Sequence, residues 1–126
     1  MSAVYDIEIM LKIKNEDKIV EILKNKIKED TENNTVHYTI EKTPNTIEDL
    51  MGIFFAKHQD MYTYSKDKNI VRVVSGFNAS YGWEVVMIDM FNAISTELEN
   101  GSKFYLGIEN DYDRFIIRNN QVVQTH

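Results

Sequence analysis

The chain has 126 residues, a formal net charge of −6, one proline, five glycines and no cysteine. That length suits a single domain, 1–126, with one core, and 43% hydrophobic with 27% charged residues is a globular balance, not a disordered one. The lack of cysteine excludes thiolate catalysis, disulfides and cysteine-based zinc sites together.

The first residues, Met1 to Glu8, offer neither a basic segment nor an apolar one, so no signal peptide is expected. Apolar stretches such as Ile53 to Ala56 fall far short of the roughly 20 residues that cross a bilayer. A soluble, cytoplasmic protein is the expectation.

Tyr5, Ile7, Ile9, Leu11 and Ile13 alternate with Asp6, Glu8, Met10, Lys12 and Lys14, which predicts a strand with one wet face. Asn15-Glu16-Asp17 then offers a helix N-cap and two carboxylates at the positive end of the helix dipole. Ile19, Val20, Leu23 and Ile27 recur at helical spacing, with Lys24, Lys26 and Lys28 toward the C-terminal half. Asp30 to Asn34 reads as polar loop. Val36, Tyr38 and Ile40 alternate with His37, Thr39 and Glu41, which predicts a second strand ended by Pro44.

Thr46 and Asp49 have capping-box spacing ahead of a short amphipathic helix carrying Ile47, Leu50, Met51 and Phe54. Met61 to Ser65 and Ile70 to Phe77 read as a hairpin around Lys66 to Asn69. The spacing of Trp83, Met87, Met90, Ile94 and Leu98 predicts one long helix over Asn78 to Asn100, stopped by Gly101. Phe104, Leu106 and Ile108 form a strand, Asn110 to Asp113 turn, and Phe115 and Ile117 return. Asn119-Asn120 turns once more into Val122 and Val123.

Two strand–helix–strand units with their helices on one side of a mainly antiparallel sheet make an α+β sandwich of ferredoxin-like type. Two main helices and one short helix cover one face. The polar alternates of the first two strands leave the other face wet or covered by a partner.

The run from Tyr5 to Ile27, strand into amphipathic helix, carries a resemblance. So does Phe77-Asn-Ala-Ser-Tyr-Gly-Trp83, which precedes the hairpin of Phe104 to Val123. Over about two-thirds of its length the chain resembles the YubB-type ferredoxin-like domain of plasmids and phages. That family has a tryptophan followed by prolines where this chain has Tyr81-Gly82-Trp83-Glu84. The resemblance implies a mobile-element setting and no catalytic residues.

Patterns that carry chemistry are sparse. P-loops, nucleophile elbows and glycine-rich dinucleotide loops are absent from the sequence. His37, His58 and His126 are the only histidines, and His58-Gln-Asp60 is a two-ligand fragment where zinc catalysis needs three protein ligands. Glu109-Asn-Asp111-Tyr-Asp113 offers oxygen ligands but lacks the glycine and terminal glutamate of a calcium loop, so a solvated turn is the simpler reading. Tyr81 to Glu84 sits where a strand passes into a helix, a place that favours anions. Glu84 and Asp89 oppose an anion there, and Trp83 reads as a core anchor. No catalytic residue, metal or cofactor is implied.

The distribution of charge is the strongest signal. Between Gly76 and Asp113, seven carboxylates stand against the single cation Lys103: Glu84, Asp89, Glu97, Glu99, Glu109, Asp111 and Asp113. That excess equals the whole net charge. A solvated helix face explains such a run without function. The functional reading is a partner-binding surface that steers a basic protein and fills sites meant for phosphate. Tyr62, Tyr64, Tyr81, Tyr105 and Tyr112 are candidate contact anchors. Lysines of the first helix interleave with acids, and a charge of −6 opposes direct nucleic-acid binding.

The sequence therefore points to a non-enzymatic acidic inhibitor that occludes a basic nucleic-acid-handling partner, as an anti-CRISPR protein does. An immunity-type or regulatory binding module, or a small-molecule-binding domain with a pocket at Trp83 and Tyr64, are the alternatives. Partner identity and oligomeric state stay open at this level.

Overall fold

The centre of the molecule is the first strand, β1 (Ser2–Lys12), which is paired antiparallel along both edges. Its alternation sets the architecture: Ala3, Tyr5, Ile7, Ile9 and Leu11 are buried while Val4, Asp6 and Glu8 are exposed. In a pleated strand that pattern puts one face in the core and the other in solvent. This is a computed structural model, and it describes residues 2–125.

After β1 come α1 (Glu16–Glu32), α2 (Ile47–Phe54), β2 (Tyr62–Asp67), β3 (Ile70–Ser80), α3 (Trp83–Ile94), β4 (Lys103–Ile108), β5 (Asp111–Arg118) and β6 (Gln121–Thr125). Among the described residues the fold is α+β, with three α-helices and one six-stranded sheet in the order β2-β3-β1-β4-β5-β6, every neighbour antiparallel. The sheet has more strands than the four of a ferredoxin-like sandwich. The helices fill the buried face with Ile19, Leu23 and Ile27 of α1, Leu50, Met51 and Phe54 of α2, and Met87, Met90, Phe91 and Ile94 of α3. Truncating such a fully buried side chain to alanine typically costs about 2–5 kcal/mol.

Local signals explain the helix starts. Asn15 caps α1 by accepting a hydrogen bond from the Lys18 amide at 3.1 Å. Thr46 and Asp49 form both arms of a capping box at α2, at 3.1 and 3.3 Å. The α1 helix runs through Glu32, so most of the expected polar loop at Asp30 to Asn34 is helical.

Two expectations need correction. The segment Val36 to Ile40 is not a strand but irregular chain between α1 and α2. Tyr38 anchors it instead: its ring packs edge-on to Phe54 and Trp83 at 5.6 and 5.8 Å, and its hydroxyl donates to Asp30 at 2.6 Å. The alternation there reflects one buried tyrosine, not a sheet edge, so the first strand–helix–strand unit closes through β2 and not through Val36 to Ile40.

The long helix expected over Asn78 to Asn100 is likewise shorter. Asn78, Ala79 and Ser80 belong to β3 and pair with Val4, Ala3 and Ser2. At the other end a 3-10 turn at Ser95–Glu97 closes the helix, and Leu98 is extended and bridges Ile13. Glu99 donates its amide to the Lys12 carbonyl at 2.8 Å and Lys14 donates to Glu97 at 2.9 Å. Leu98 fits the hydrophobic stripe because it is buried, yet sheet pairing takes its backbone.

Candidate functional site

Helices cover one face of the sheet and leave the other open. Its geometry follows from register. Asp6 on β1 lies between Gly76 of β3 and Gly107 of β4, so neither neighbour on this face carries a side chain. The floor is lowered there, and a concavity of about 750 Å³ forms over it. Met61 and Tyr112 make its walls. A Cβ added at Gly107 would sit 2.7 Å from the Tyr112 ring, and one at Gly76 3.2 Å from the Asp6 carboxylate and 3.8 Å from Met61. Mid-strand glycine here serves close approach of other groups, not a turn.

The rim is held by a two-way amide contact. Gln59 donates to the Asn78 carbonyl at 2.7 Å and accepts from the Asn78 amide at 2.9 Å. That contact fixes Asp60 and Met61 beside β3. Asp60, at φ 72° and ψ −36°, centres a tight γ-turn in which the Met61 amide donates to the Gln59 carbonyl at 2.8 Å.

Charge on the open face is graded along the strands. Three carboxylates face the concavity, Asp6, Glu8 and Asp60, against one guanidinium, Arg114; Asp113 borders it, but it pairs with the buried Leu106, so its side chain belongs to the helix-covered face. Beyond Glu8 the sign reverses. Arg72 and Lys103 flank Met10, and Lys12 and Arg118 follow at the far end. All three arginines of the chain, Arg72, Arg114 and Arg118, belong to this face. Tyr105 stands between the halves, with Lys103 Nζ 5.6 Å and the Arg114 guanidinium carbon 5.0 Å from its ring centre. The ion pairs among the described residues are Lys18–Glu21, Lys26–Asp30, Lys42–Asp49 and Lys66–Glu16. None of them uses Asp6, Glu8, Lys12, Arg72, Lys103, Arg114 or Arg118.

The seven carboxylates singled out by sequence do not share one surface. Glu109 and Asp111 lie at the β4–β5 turn beside the concavity, and Asp113 sits on β5 opposite Leu106, with its side chain on the helix-covered face. Glu109 accepts from the Val4 amide at 3.1 Å and from the Tyr81 hydroxyl at 3.4 Å. Glu84 is near the same end but on the helical side. It accepts from the Tyr5 hydroxyl at 2.6 Å and the Gly82 amide at 2.8 Å. Burial alone would raise its carboxyl, but these hydrogen bonds hold it below the ordinary value. Asp89 is exposed on α3. Glu97 and Glu99 sit at the opposite end, where Glu99 accepts from Asn69 at 3.0 Å. The eight-residue step from Val4 to Lys12, at about 3.3 Å per residue, puts roughly 26 Å between the two ends.

Other candidates are occupied or dispersed. Trp83 donates its indole N–H to the Phe54 carbonyl at 2.9 Å, and Glu84 closes the α3 N-terminus with its own carboxylate. His37 and His58 are exposed, and His126 lies outside the described residues. Among the described residues no group of three or more His, Cys, Asp or Glu side chains could hold a metal ion. No described helix is long and apolar enough to cross a membrane.

Sequence reading missed Asp6, Glu8, Gly76, Gly107 and Arg114 as one constellation. The signals were the charged alternates of β1 and the lone glycines inside two predicted strands. What was missing was the pairing register that joins them. No family model matches this chain, and no curated protein or solved structure does.

Proposed function

We propose that this chain is a non-enzymatic binding module that receives a basic protein at the acid-lined end of its open sheet face. One observation carries the reading: Asp6 at the floor of a glycine-cleared concavity, with Glu8 and Asp60 around it. Aromatic and thioether walls at Tyr112 and Met61 suit the stem of an arginine or lysine, and the carboxylates suit its head. Glu109 and Asp111 extend the negative field beyond the rim and would speed encounter with a cationic surface.

Acting as an inhibitor, such a module would present carboxylates where its partner expects phosphate. A nucleic-acid-handling enzyme of a host defence system is the partner class this reading favours, and a mobile-element origin accords with the YubB-type resemblance. An enlarged ferredoxin-like sandwich is the finer fold reading. The crossovers β1–α1–α2–β2 and β3–α3–β4 support it, with β5 and β6 as additions. A second reading, a small organic cation as ligand, draws support from the concavity's volume, which falls within the roughly 300–1,000 Å³ usual for ligand sites.

Amide chemical-shift mapping during titration with an arginine-rich peptide tests the proposal. Shifts confined to Asp6, Glu8, Gly76, Gly107, Tyr112 and their neighbours are expected. Shifts centred on α3 or on Glu97 and Glu99 would overturn it. Binding of free arginine as tightly as the peptide would favour the small-cation reading.

A further inference from the structure

The open face is self-complementary, and we propose that it pairs with the open face of a second copy in a two-fold dimer. Ile9, Val73, Phe104 and Phe115 form one row across β1, β3, β4 and β5. On the acid side of that row the open face carries Asp6, Glu8 and Arg114, and on the other side Lys12, Arg72, Lys103 and Arg118.

A two-fold axis laid along the row, between two faces about 10 Å apart, turns each strand over its own copy. Asp6 then faces Lys12 of the second copy, and Tyr112 faces Arg118 of the second copy. Glu8 faces Met10 of the second copy, with Arg72 and Lys103 on either side of it. Arg114, the one cation of the acid half, faces the uncharged Ile116 of the second copy, and each contact occurs twice. The glycine-cleared concavity above Asp6 gives the incoming Lys12 side chain its space. In the single chain Lys12 lies over Gly101, where its Nζ is 3.0 Å from the site of an added Cβ. It is a flexible side chain and can swing out.

Apolar exposure supports the same surface. Val4, Met61, Val74 and Tyr112 lie on this face or its rim and are 48%, 70%, 51% and 65% exposed. Six strands of about eight residues give roughly 600 Å² of projected area per copy, somewhat below the ~800 Å² per partner of a standard interface. The dimer is therefore weak and sensitive to salt. It would also hide the acid end, so self-association and docking of a foreign basic partner would compete. The inference does not depend on that partner, because it is read from the mass of the chain alone.

Sedimentation of the full chain over a concentration series tests it. At low salt the mass should rise from monomer to dimer and stop there, and raising the salt to about 0.5 M should weaken association at least tenfold. The variants Asp6→Lys/Glu8→Lys and Lys12→Glu/Arg72→Glu/Lys103→Glu should each stay monomeric, because like charges then face each other. An equimolar mixture of the two should form a dimer. A wild-type chain that remains monomeric at every concentration overturns the proposal, with or without folded variants. So does self-association that persists in either variant alone, or growth into open-ended assemblies, which would indicate edge-strand pairing.

Discussion

Tyr5 and Glu84 meet through a 2.6 Å hydrogen bond that ties the central strand to the first turn of α3. The Tyr5 ring is fully buried and stacks on Phe77 at 5.4 Å, so its hydroxyl is held at the end of a rigid arm. This contact couples sheet, helix start and ionisation state.

Tyr5→Phe keeps the ring and removes the donor. It should cost about 1–3 kcal/mol, since a part-buried carboxylate loses a charge-assisted bond. The pH dependence has a definite sign. The folded-state value of Glu84 lies below its unfolded value, so its contribution is present above the unfolded carboxylate range and is lost as pH falls through the depressed folded value. Urea unfolding between about pH 7 and pH 3 should show a shallower acid decline in the variant. An unchanged acid limb would detach Glu84 from this role.

Ser75 is buried in β3, and its hydroxyl donates to the Phe55 carbonyl at 2.6 Å, joining the sheet to the end of α2. Ser75→Ala should destabilise by about 1–3 kcal/mol because a buried carbonyl is left without its donor. Equilibrium denaturation measures the loss, and a change under about 0.5 kcal/mol would show that the carbonyl finds another donor.

Thr46 starts α2 through its capping box with Asp49. Thr46→Ala should cost about 1 kcal/mol and Thr46→Ser much less, by thermal unfolding. The Asp49 carboxyl sits below its ordinary value, chiefly through the Asn45 amide, with burial opposing. Its share of the cap is accordingly lost on acidification, as for Glu84.

Gly82 and Gly107 should respond differently to alanine. At Gly82 nothing lies within 4 Å of an added Cβ, but φ is +107°. The cost there is backbone strain of about 1–2 kcal/mol, and peptide binding should be unchanged. At Gly107 the new Cβ would strike the Tyr112 ring at 2.7 Å and crowd the Asp6 carbonyl at 3.2 Å. Gly107→Ala should push that wall aside and weaken binding of an arginine-rich peptide several-fold, read by fluorescence anisotropy.

Where short-range chemistry decides, the sequence was legible. The β1 alternation, the Asn15 and Thr46 caps, the hairpin turns and the wet second face all follow from neighbours in the chain. Val36 to Ile40 failed because a period-2 pattern cannot tell a sheet partner from one tyrosine buried under a helix layer. The long helix failed because Leu98 satisfies a helical stripe equally well from an extended backbone. The seven carboxylates were legible as an excess but not as a surface. Only strand register shows that Glu109 and Asp111 lie at the Asp6 end, that Asp113 turns to the helix-covered face, and that Glu97 and Glu99 lie at the other end.

The most direct test compares two neutralised variants for binding to one labelled arginine-rich peptide, at protein concentrations below those that permit self-association. Asp6→Asn/Glu8→Gln removes charge at the floor of the concavity, and Glu97→Gln/Glu99→Gln removes the same charge at the far end. If the open face is the docking surface, the first variant binds at least tenfold more weakly and the second stays within about twofold of wild type. Equal losses in both, or a larger loss in the second, would contradict it.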